Sequence, residues 1–301
     1  MLPVAITTGV LVTGALVTSW LVTSPRSVAP AQAAPEPFVL AAGPAPASKS
    51  EAIAPLAPAK APQAAPLPSA ALKSPGAYPQ NVANRPVPRI GAKPWLISEE
   101  WKAHHERHLR ALGRATAKVI FLGDSITEGW GVAPAYREQF GKYSPLNFGI
   151  ANDTTQNVLW RIEHGALDGT NPRAVVLMVG INNLAGGFSP EQTADGVRAV
   201  VASIRAHAPS AQVLLLGVLP ARQDSANPLR QSIKDANQLL QGLAQPGKVE
   251  VRDVGELLLE PDGSIAKATM RDFVHPTAEG FSRLSQATAP FLDAVMDEPI
   301  Q

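Results

Sequence analysis

The chain contains no cysteine in 301 residues, few aromatics (5%) and no excess of either charge, with 26 Lys and Arg against 25 Asp and Glu. The missing thiols exclude disulfides, thiolate metal sites and a cysteine nucleophile, and leave the redox compartment open. A net charge of +1 argues against nucleic acid as a partner, because proteins that bind it concentrate Lys and Arg on one face. No internal repeat, GxSxG nucleophile elbow or HExxH metal motif occurs.

What is plentiful is unevenly spread. Val4 to Val22 form an uncharged, mostly apolar run, followed by Ala31-Gln32-Ala33, a small-x-small pattern that a signal peptidase cuts. No Lys or Arg precedes the run, and it is long enough to span a bilayer. Residues 1–34 therefore read as a signal peptide or a retained membrane anchor, and the chain as exported to the periplasm or the extracellular space. From Pro25 to Pro88 the sequence is dominated by Ala, Pro, Ser and Lys, with about half of the 29 prolines. Proline removes backbone donors and no apolar period defines a buried face, so residues 35–91 are assigned to a disordered linker and 92–298 to the folded domain.

Within the domain, Ile97 to Leu112 carries Trp101, His105, His108 and Leu112 at helical spacing. His104 and His108 stand at i, i+4, as a helical metal pair would, but with no third ligand they read as packing or solvated side chains, and no metal or cofactor is implied. Short β-branched runs follow at Val119 to Leu122, Leu146 to Ile150, Val175 to Val179, Val213 to Val218 and Val249 to Val251. Stretches of helical character separate them. One helix start is explicit, since Ser189-Pro190-Glu191-Gln192 combines an N-cap serine, a first-turn proline and a capping-box glutamine. Buried strands alternating with helices predict a three-layer α/β domain with a mostly parallel sheet.

Open parallel sheets bind ligands beyond the carboxyl ends of their strands. There the sequence places Gly123-Asp124-Ser125, Ala151-Asn152-Asp153, Gly180-Ile181-Asn182 and Asp272-Phe273-Val274-His275. A serine nucleophile needs a base, and the base needs a carboxylate to hold its tautomer, roles open to Ser125, His275 and Asp272. The backbone N–H of Ser125 and Asn152 and the side-chain amide of Asn182 are candidate donors to an oxyanion. Singly, each residue also has a plainer role: Ser125, Asp272 and His275 as helix caps, Asn182 as a turn residue.

Phe121-Leu122-Gly123-Asp124-Ser125-Ile126 resembles the first block of the SGNH, or GDSL-type, hydrolases, and the later blocks follow in order at Asn152, Asn182 and Asp272 to His275. The similarity spans about residues 94 to 296. It is strongest to the branch containing the catalytic subunits of intracellular platelet-activating factor acetylhydrolase and their bacterial relatives, through Asn147 to Ile150, Asp153 to Thr155, Val158 to Arg161, Val179 to Asn183, Leu219-Pro220 and Asn227 to Gln231. The resemblance implies a flavodoxin-like α/β/α sandwich with a central five-stranded sheet, and a metal-independent esterase that prefers short acyl groups. It also implies an acyl pocket closed by Ile126, Ile181 and Val274. Where the family usually has glycine before the block-two aspartate, this chain has Asn152, which keeps the backbone donor and tolerates positive φ. The substrate expected is a small ester or an O-acetylated glycan. An O-acetyltransferase with the same residues and a silent glycan-binding module are the alternatives.

Overall fold

The computed structural model describes residues 82–89, 98–112 and 117–298. The signal-or-anchor segment 1–34, and the assigned linker as far as residue 81, lie outside the described residues.

Five strands form one all-parallel sheet in the order β2-β1-β3-β4-β5: β1 (Val119–Gly123), β2 (Leu146–Gly149), β3 (Ala174–Met178), β4 (Gln212–Leu216) and β5 (Val249–Arg252). Side chains alternate across a strand. Phe121, Val176 and Leu214 therefore face one core, closed by α2 (Ser125–Val132), α3 (Pro134–Phe140) and α8 (Ala278–Asp297). Ile120, Leu122, Val175, Leu177, Val213 and Leu215 face a second core, closed by α1 (Ser98–Leu112), α4 (Thr155–Arg161) and α6 (Pro190–His207). A central strand covered on both faces has no solvent side, and β1 and β3 are buried along their whole length. α5 (Ile181–Ala185) follows β3, and α7 (Pro228–Gln241) contributes Ile233 and Ala236 to the first core and Leu240 to the second.

This is the flavodoxin-like order, in which the direction of strand addition reverses between β1 and β3 and opens a crevice there. The predicted capping box at α6 forms, with Ser189 Oγ accepting from Gln192 N and Gln192 Oε1 accepting from Ser189 N. α1 buries Trp101, His105 and Leu112, while the His108 ring stacks on Phe148 at 4.6 Å. The His104 and His108 rings meet at 4.7 Å, and no group of three or more metal-ligating side chains occurs among the described residues.

The assigned linker boundary needs correction. Residues 82–89 pack on the domain: Val82, Ala83, Val87 and Arg89 are buried. Val87 N donates to Gln156 O (3.0 Å), Thr155 Oγ1 to Ala83 O (2.8 Å) and Asn157 Nδ2 to Val87 O (3.0 Å). The segment is held mainly through its backbone, which leaves no apolar period in the sequence.

Candidate active site

Ser125 is the first residue of α2, directly beyond β1. The helix is capped by Asp124, whose Oδ1 accepts from Ile126 N at 2.9 Å, so the serine is not needed as the cap. Its backbone N–H is among the first-turn donors that a helix leaves without an intrahelical partner. Behind it, Trp130 is fully buried against Phe121, Phe140 and Phe281, and its Nε1 donates to Ser285 Oγ (2.8 Å), tying α2 to α8.

Asp272 and His275 lie on the turn before α8, whose cap is Thr277. Phe273 between them adopts φ 62°, a strained value for a bulky residue. The reversal is fixed from outside, because Phe273 O accepts from Arg222 N (2.8 Å) and Arg271 N donates to His275 O (3.0 Å). It lets Asp272 Oδ1 accept from Val274 N (3.1 Å) and His275 N (2.7 Å), while Oδ2 pairs with His275 Nδ1 at 2.8 Å. Burial, the largest single influence, pushes the Asp272 pKa up, but hydrogen bonds from the His275 backbone and ring and from Val274 N outweigh it and hold the carboxyl below its usual range. The other ring nitrogen, Nε2, lies 2.9 Å from Ser125 Oγ. The tautomer that satisfies both contacts carries its proton on Nδ1 and offers Nε2 to the serine hydroxyl.

Asn182 sits in the first turn of α5. Gly180 before it has φ 134°, and a side chain there would press on Val218 and Thr193. Asn182 Nδ2 donates to Asp153 O at 2.9 Å, which commits one of its two amide hydrogens and links β3 to the loop after β2. Asn152 in that loop has φ 62°, the left-handed conformation that asparagine tolerates. Ile126 and Ile181 are buried in the same apolar cluster, and Val274 packs against it.

Sequence reasoning missed the buried ionic group beneath this loop. Asp153 Oδ1 accepts from Arg89 Nη2 (2.9 Å) and Trp101 Nε1 (2.7 Å), and Oδ2 lies 2.8 Å from Arg161 Nε. Arg161, also fully buried, donates through Nη1 to Phe148 O (2.7 Å) and through Nη2 to Gly123 O (3.0 Å), joining the ends of β1 and β2. Burial lowers the Arg161 pKa and raises that of Asp153, each partner opposing the shift in the other. The only signal in the sequence was a charged residue closing the otherwise apolar Val158-Leu159-Trp160-Arg161. The partners of Asp153, which are Arg161, Trp101 and Arg89, stand 8, 52 and 64 residues from it in the sequence and are brought together by the fold alone.

Residues 121–283 match the GDSL-like lipase/acylhydrolase family. The chain is 33% identical over 201 residues to platelet-activating factor acetylhydrolase IB subunit alpha2 of Rattus norvegicus, covering 66% of this chain and 86% of that protein. It is 32% identical over 209 residues to the alpha1 subunit of Bos taurus, covering 69% and 88%. Among solved structures, a GDSL-like lipase from Bacteroides thetaiotaomicron superposes with a TM-score of 0.53 at 21% identity, over 64% of this chain and 98% of that one. The block order on the sheet edge, the five-stranded parallel fold and these similarities agree, and the chain belongs to the GDSL-like lipase/acylhydrolase family as an enzyme of the GDSL esterase type.

Proposed function

We propose that the chain is a serine esterase removing short O-acyl groups, acetyl foremost, through an acyl-enzyme on Ser125, with His275 as the base and Asp272 as its orienting carboxylate. The observation that carries this reading is the unbroken relay at the carboxyl edge of the sheet, Ser125 Oγ to His275 Nε2 at 2.9 Å and His275 Nδ1 to Asp272 Oδ2 at 2.8 Å.

In the first half-reaction Ser125 Oγ bonds to the ester carbonyl carbon as its proton passes to His275 Nε2. The imidazolium that results is stabilised by the Asp272 carboxylate, which its hydrogen bonds keep ionised. Negative charge develops on the former carbonyl oxygen, where the N–H groups of Ser125 and Asn152 and the second amide hydrogen of Asn182 are the assigned donors. Collapse breaks the bond to the alkoxy oxygen, which leaves as alcohol with the proton from Nε2. Water then repeats the sequence, losing a proton to Nε2 while adding to the acyl carbon, and releases acetate and free Ser125.

Acetyl is favoured because the curated relatives are named acetylhydrolases and because Ile126, Ile181 and Val274 are branched side chains in or against one apolar cluster. The run Val4 to Val22, Ala31-Gln32-Ala33 and the proline-rich segment support a site of action outside the cytoplasm, on an O-acetylated glycan or a small acetyl ester. The test incubates purified protein and Ser125→Ala with acetylated glycans and with acetyl phospholipids, with and without a free glycan acceptor. Acetate release by the wild type, lowered by several orders of magnitude in Ser125→Ala, is expected. A Ser125→Ala protein close to wild type sinks the reading, and acetyl appearing on the acceptor in place of acetate replaces hydrolysis by transfer.

A further inference from the structure

Arg89 comes from the segment that composition alone marks as linker, yet its guanidinium is 5% exposed and reaches the loop carrying Asn152. The approach is built into the domain. At Gly196 on α6 an added Cβ would lie 2.7 Å from Ala83 O and 2.4 Å from Thr155 Oγ1, so only glycine lets the segment pass there. Residues 82–89 then run along α4 through the Ala83, Val87 and Gln156 backbone contacts, and Arg89 Nη2 donates both to Ala151 O (2.5 Å) and to Asp153 Oδ1 (2.9 Å).

These two acceptors flank Asn152. Ala151 N is itself held by Glu128 Oε2 (2.8 Å), Asp153 N by Ile150 O (3.1 Å) and Asp153 O by Asn182 Nδ2 (2.9 Å). The peptide groups on either side of Asn152 are thus fixed. The Ala151 carbonyl also shares one rigid plane with the Asn152 N–H, and in a trans peptide the two point in opposite directions. A cation on that carbonyl sets where the N–H aims and, by polarising the peptide, makes it a stronger donor.

We propose that Arg89 is a positioning residue for the oxyanion site: the end of the N-terminal segment is part of the catalytic apparatus, acting through the Ala151–Asn152 peptide. This rests on the serine-esterase reading above, in which the Asn152 N–H stabilises the tetrahedral intermediate.

The test measures kcat and KM on a p-nitrophenyl acetate assay, and affinity for methylboronic acid, whose tetrahedral adduct on Ser125 places an oxygen where the oxyanion forms. Full-length wild type, Arg89→Ala, Trp101→Phe and Ser125→Ala are compared, with folding followed by circular dichroism. In Arg89→Ala, kcat and boronate affinity are expected to fall together by about 10- to 100-fold, the cost of a misplaced catalytic group, with KM changed by less than about threefold. Trp101→Phe removes a donor to Asp153 Oδ1 without touching Ala151 O, so its kcat is expected to fall less. A folded Arg89→Ala with both quantities within about twofold of wild type overturns the proposal, as does a kcat loss with unchanged boronate affinity or an equal loss in Trp101→Phe. If Arg89→Ala does not fold, Arg89→Met, which keeps the packing of the stem, is judged by the same two quantities. Failure of the underlying reading shows separately, as turnover or boronate binding surviving in Ser125→Ala.

Discussion

Asn152 and Asn182 would serve an oxyanion through different atoms, one through its backbone and the other through its side chain, and substitution separates them. Asn152→Gly keeps the donor and suits the φ of 62°, so kcat on an acetyl ester is expected to change little. Asn182→Ala removes the donor and its bond to Asp153 O, and is expected to cost about 2 to 4 kcal/mol of transition-state stabilisation. Equal losses in kcat would mean the donors are misassigned. The acyl-pocket residues make a second test at this scale. kcat/KM for p-nitrophenyl esters should fall in steps from acetate through propionate to butyrate, each methylene costing about 1 to 3 kcal/mol. Ile181 is 5% exposed within the core, so Ile181→Ala also opens a cavity that costs about 2 to 5 kcal/mol of stability. Val274 is only partly buried, and Val274→Ala is the cleaner way to shift the optimum upward. A wild type fastest on octanoate would refute the acetyl preference.

At the scale of elements, the 82–89 segment behaves as part of the domain rather than as its tether. A chain shortened to begin at Pro79 keeps the burial of Val82 and Val87 and the Arg89–Asp153 pair, and should match the full chain in urea midpoint and activity. One beginning at Ile90 strips a partner from a fully buried carboxylate, and should be destabilised by about 2 to 5 kcal/mol. Coincident unfolding curves for the two would return the segment to the linker. α4 explains why the attachment is specific: Thr155 and Asn157 present polar atoms to the passing backbone, and Asn183 on α5 accepts from Thr155 N at 2.9 Å to hold that turn in place.

For the whole molecule, Asp124 couples folding to pH. It is fully buried at the start of α2, and burial, the dominant influence, raises its pKa to about 7 against the opposing hydrogen bond from Ile126 N, with the nearby Asp153 adding to the rise. The folded protein therefore holds this proton up to a higher pH than the unfolded chain does. Its contribution is fully present below the unfolded value of 3.8 and is lost as pH rises through about 7. Asp124→Asn keeps an acceptor for Ile126 N and cannot ionise. Its stability relative to wild type should rise between about pH 4 and pH 7 in urea unfolding, the other titrating groups cancelling in the difference. A difference that is flat or falls over that window would show that Asp124 stays ionised in the fold.

Sequence alone determined the class of the domain, because a β-branched run that must be buried on both faces and a capped amphipathic helix are local patterns with few packing solutions. All five runs became strands, with ends shifted by a residue or two, and Ser189 capped α6 as written. The short blocks at the strand ends were legible for the same reason: in a parallel sheet, the residues after each strand share an edge. Tertiary structure decided what depends on distance along the chain. The Phe273 reversal, held in part by Arg222, and the Asp153 group, drawn from Arg89, Trp101 and Arg161, rest on contacts that carry no period or spacing. Where the proline-rich segment stops and the domain begins was likewise invisible. Hydrogen bonds to its backbone dock it, and these leave no side-chain pattern in the segment to read.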